Sequence, residues 1–94
     1  MTEEERVLLD NVLDGLDRLF DDESDATDLY ALIFATSKAV SKTEHFVILN
    51  KAANDLEKIV RAGLNANGER FEALKVTDDL RKYLAQTLDY VNMK

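Results

Sequence analysis

At 94 residues the chain has room for one domain and not for two. Cysteine is absent, which excludes disulfides, thiolate nucleophiles and cysteine-based zinc sites. Proline is absent too, and glycine stands only at Gly15, Gly63 and Gly68, too few turn residues for a small β domain. The net charge is −7, and no apolar run approaches the ~18 residues that a membrane span needs. The opening Met1-Thr2-Glu3-Glu4-Glu5 is the reverse of a basic-then-apolar signal, so a soluble, cytoplasmic domain over 1–94 is expected.

The first helix is announced by Thr2 and Glu5, which have capping-box spacing. Apolar residues then recur at Val7-Leu8-Leu9, Val12-Leu13, Leu16 and Leu19-Phe20, one face of a helix. Asp21-Asp22-Glu23-Ser24-Asp25 ends it, and Ser24 or Asp25 can cap a second helix. That helix offers Leu29, Leu32-Ile33, Thr36 and Ala39-Val40 to the core, with Ala31 and Ala35 small enough for a close helix neighbour. Ser41-Lys42-Thr43-Glu44 reads as another capping box. It predicts a third helix carrying Phe46, Leu49, Ala52-Ala53, Leu56, Ile59-Val60 and Leu64.

Asn65-Ala66-Asn67-Gly68 supplies a stop tolerant of left-handed backbone, with Gly68 the expected residue just past the helix. Thr77-Asp78-Asp79 reads as a fresh start, since first-turn carboxylates complement the helix dipole. The last helix then presents Leu80, Tyr83-Leu84, Thr87-Leu88 and Val91. Residues 68–76, with Phe71 and Leu74 three apart, stay open between a short extra helical segment and a packed loop. The expected fold is all-α, an antiparallel four-helix bundle whose short helices are stable only through their shared apolar faces.

Charge is unevenly spread. Residues 1–28 hold eleven acids and two bases, a local charge of −9; residues 29–94 hold eight acids and ten bases, +2. Asp10, Asp14, Asp17 and Asp21 are four, three and four apart and share a helix face, where like charges repel. Asp22, Glu23, Asp25 and Asp28 continue the acidic run. A solvated face is one reading. The other is a docking surface for a basic protein, with Tyr30 and Phe71 as candidate aromatic anchors. Phe20, Phe34 and Phe46 lie on apolar stripes and are assigned to the core.

Several chemistries fail on their residues. An EF-hand loop begun at Asp21 would put Ala26 where glycine is needed and Leu32 where glutamate is needed, so no metal site is expected. His45 is the only histidine, preceded by Lys42 where a di-metal bundle has glutamate, and is expected at a partly exposed helix start. Phosphate-cradling glycine loops are absent. Ser24 lacks the aspartate-serine-leucine context in which acyl carriers attach their prosthetic group. The negative field disfavours nucleic acid, although Lys38, Lys42, Lys51, Lys58 and Arg61 could form a local basic patch. No cofactor and no catalytic centre are expected.

The segment Leu19-Phe20-Asp21-Asp22-Glu23-Ser24-Asp25-Ala26-Thr27-Asp28-Leu29-Tyr30 resembles a stretch of small helical bacterial immunity proteins, of the colicin-type and contact-dependent inhibition systems. It covers a dozen residues. The resemblance implies a protein that occludes the basic active surface of a cognate toxin, such as a nuclease, with acidic residues. A helical adaptor, such as a homodimeric bundle or a secretion-chaperone-like module, is the alternative.

Overall fold

The structure is a computed structural model describing residues 1–92, with side chains described through Leu88. It contains four helices: α1 (Glu3–Phe20), α2 (Ala26–Ala39), α3 (Phe46–Arg61) and α4 (Ala66–Asn92). No strand occurs among the described residues. Successive helices pack against each other, α4 closes back on α1, and α2 meets α4 across the middle. Consecutive helices alternate in direction and α4 runs opposite to α1, an all-α four-helix bundle. At ~1.5 Å per residue α4 is ~40 Å long, which accounts for the 42 Å long dimension of the molecule.

The core is built from one narrow stripe per helix. Leu9, Val12, Leu16 and Leu19 of α1 meet Ala26, Leu29 and Ile33 of α2, and Leu49, Ala52, Ala53 and Leu56 of α3. From α4 come Ala73, Leu80, Leu84 and Leu88. Gly15 sits at the α1–α2 crossing, where an added Cβ would fall 2.8 Å from the end of Leu32. The Thr2 capping box forms in full: the Thr2 hydroxyl accepts the Glu5 N–H at 3.1 Å and the Glu5 carboxylate accepts the Thr2 N–H at 2.8 Å. That second bond holds the Glu5 carboxyl below the usual glutamate range.

Several expectations are corrected. First, α3 begins at Phe46, not at the Ser41 box. The Thr43 hydroxyl donates to the Val40 carbonyl at 2.8 Å and accepts the His45 N–H at 3.2 Å, so it closes the turn and caps nothing. Second, the left-handed residue is Gly63, φ 70°, which ends α3 and leaves Leu64 exposed in the turn. Gly68 lies inside α4, where the Asn65 side chain accepts its N–H at 2.7 Å as a helix cap.

Third, Thr77 starts nothing. It is buried in mid-helix, its hydroxyl donating to the Ala73 carbonyl at 2.7 Å, and residues 68–76 are the first turns of one continuous α4. Fourth, Phe20 and Phe34 are not core: they are 56% and 44% exposed. The buried spacing in α1 and α2 runs through Leu19 and Ile33, and the next residue lies ~100° round the helix. For the same reason Ala31 and Ala35 face outward with no helix beside them. Val91 and Tyr90 lie outside the described side chains.

Candidate protein interface

The acidic turn is shaped by backbone demands before it is a charge cluster. Asp22 has φ 62°. Its N–H donates to the Leu19 carbonyl at 3.2 Å and the Glu23 N–H donates to the Arg18 carbonyl at 2.7 Å. This is the Schellman closure of a helix, with aspartate where glycine is usual. Asp25 then caps α2, accepting the Asp28 N–H at 2.8 Å, so of the two candidate caps Asp25 is the one used.

Arg70, from the first turns of α4, reaches across to this turn. Its Nε donates to the Leu19 carbonyl at 3.1 Å, its Nη2 donates to the Phe20 carbonyl, and Asp22 lies 3.8 Å away. A guanidinium there satisfies the last carbonyls of α1 and opposes the negative end of its dipole. The contact also brings the start of α4, with Phe71, to the end of the bundle where α1 stops and α2 begins. Phe71 is 65% exposed and lines a shallow depression with Leu74, Lys75 and Asp78. Phe20, the last residue of α1, is exposed too, with the Arg81 guanidinium 5.4 Å from its ring centre.

The acidic stripe does not act as one unit. Asp14 pairs with Arg18 along α1 at 3.2 Å, and Asp17 crosses to Arg81 of α4 at 3.1 Å. Asp22 and Asp25 hold the turn. Asp10, Asp21, Glu23 and Asp28 are exposed and, among the described residues, make no ion pair within 4 Å. Asp14, Glu23 and Asp28 share the rim of an open depression between α1 and α2. Tyr30 is half-buried, its ring 5.9 Å from Phe34 and packed against the core.

The basic patch is partly neutralised as well: Lys51 lies 3.4 Å from Asp55 and Arg61 lies 2.7 Å from Glu57. Among the described residues no three His, Asp or Glu side chains converge in a way that would hold a metal ion. His45 is buried and not partly exposed, its Nδ1 in a 2.6 Å hydrogen bond with the Tyr83 hydroxyl. Arg70, Arg81 and Phe20 are the residues that sequence reading missed. Two of them act through contacts more than fifty residues distant, which no local pattern encodes. The stricter stripe spacing of α1 could have set Phe20 outside the core.

No helix among the described residues is long and apolar enough to cross a membrane. Compared with family models, curated proteins and solved structures, the chain matches none.

Proposed function

We propose that this chain is a binding protein, not an enzyme, which docks a basic protein partner on the end of the bundle formed by the α1–α2 turn and the start of α4. The observation that carries the reading is the Arg70 contact, which draws the start of α4 with its exposed Phe71 to the turn where Phe20 is exposed and Asp21 and Glu23 are exposed and unbridged. Acids supply long-range attraction and orientation; aromatic side chains supply buried area at small entropic cost once the partner arrives. The resemblance over residues 19–30 makes the partner a bacterial toxin domain, neutralised in the cytoplasm by covering its basic working surface. Asp14, Asp17, Asp22 and Asp25 shape the surface, Asp21, Glu23 and Asp28 meet the partner, and Asp10, ~15 Å back along α1 from its last residue, adds to the long-range attraction.

The test is co-expression with the toxin domain encoded in the neighbouring reading frame. Wild type should restore growth, and the Asp21→Asn/Glu23→Gln/Asp28→Asn variant should not, with its helical circular dichroism unchanged. Association should slow about tenfold at low salt, because steering depends on the removed charges. Full protection by the variant, or a neighbouring frame that encodes no toxin, refutes the reading. The control variant Glu4→Gln/Glu44→Gln, which removes exposed acids at the start of α1 and in the α2–α3 turn, away from this surface, should protect normally.

A further inference from the structure

The outward face of α2 has no neighbour within the bundle. Thr27, Ala31, Phe34, Ala35, Lys38 and Ala39 are exposed along it. Asp28 and Lys38 are the only Asp, Glu, Lys or Arg in Ala26–Ala39, whereas each of the other helices carries at least five such residues. A helix facing water ordinarily keeps its charges on that side. Here the water-facing side holds an exposed phenylalanine, three alanines and one charge of each sign near opposite ends.

We propose that the α2 of a second copy covers this face, antiparallel, about a two-fold axis at the level of Ile33. The charges choose the arrangement. Antiparallel pairing about that level sets Asp28 of each copy beside Lys38 of the other, whereas parallel pairing would set Asp28 beside Asp28 and Lys38 beside Lys38. The same register places Ala31 opposite Ala35 and Thr27 opposite Ala39, so the backbones can approach to the close end of helix packing, ~8 Å. A two-fold contact must be complementary to itself, and this pattern is. Two copies each carrying −7 repel at long range; a contact face whose own charge sums to zero adds nothing to that repulsion. One helix pair is small for an interface, below ~1,200 Å², so the dimer dissociates on dilution.

The inference does not rest on the proposed toxin partner, and the two share only Asp28. The experiment is sedimentation or light scattering of the full chain between ~5 and ~500 μM, concentrations that bracket weak association. Wild type should move from the 10.7 kDa monomer toward twice that mass as concentration rises. Ala35→Glu, a good helix former at an exposed site, should remain monomeric with unchanged circular dichroism. Asp28→Lys or Lys38→Asp alone should weaken the dimer about tenfold, and the two together should restore it. A wild-type monomer at the highest concentration, or a dimer indifferent to Ala35→Glu, overturns the proposal. A double variant as weak as the singles overturns the antiparallel register.

Discussion

Asp22 shows how one position can carry two demands. The closure of α1 needs a left-handed residue, which glycine adopts without cost and aspartate adopts under strain. Its carboxylate offers little in return, since the 3.8 Å approach to Arg70 is made largely in solvent. Asp22→Gly should therefore stabilise the protein by roughly 0.5–1 kcal/mol, read as a higher urea midpoint. A lower midpoint would show that the Arg70 contact outweighs the backbone strain. The acids themselves were legible in the sequence, as was a cap at Ser24 or Asp25. Their separate jobs were not, because pairing with Arg70 and Arg81 depends on α4 lying beside α1. Phe20 and Phe34 were misplaced because apolar character was counted without its angle round the helix.

At the level of elements, the α3–α4 junction separates a stop signal from a start signal made of the same residue types. Asparagine and glycine suit both a left-handed helix end and a helix cap. The structure puts the left-handed residue at Gly63 and the cap at Asn65. Gly63→Ala should cost about 1 kcal/mol from backbone strain alone, since a Cβ there would meet nothing within 4 Å. Gly68→Ala should change stability by less than about 0.5 kcal/mol, helix propensity offsetting a slight displacement of the Asn65 cap. Thermal unfolding of the two variants decides the matter; a larger loss at Gly68 would return the helix end to that position. Continuity of α4 through residues 68–76 was hidden because Ala73 and Thr77, its first buried positions, are a small residue and a typical capping residue.

Across the whole molecule, the His45–Tyr83 pair ties the start of α3 to α4 from inside. Burial, then the neighbouring Glu44 charge, pushes the Tyr83 phenol above its ordinary value. A phenol with a raised folded value contributes stability that is present below the ordinary pKa of about 10 and lost as pH rises through the folded value. Unfolding followed between neutral and strongly alkaline pH should show that loss. Tyr83→Phe should abolish this component and, by leaving the His45 Nδ1 without its partner, cost about 1–3 kcal/mol at neutral pH. If Tyr83→Phe unfolds like wild type at both pH values, the pair holds nothing together.

Composition and periodicity determined the class and count of the helices. A chain without proline, with three glycines and with stripes at Leu9-Val12-Leu16-Leu19 and Leu49-Ala52-Leu56, can bury that apolar surface only as packed helices. The charge map was equally a matter of sequence, since it needs only the order of residues. Tertiary structure decided which acids remain unbridged, which phenylalanines face water, where α3 and α4 begin, and that His45 is inside. Each of these turns on a partner distant in the chain, and the free energy of such a contact is not encoded in the local spacing that sequence reading relies on.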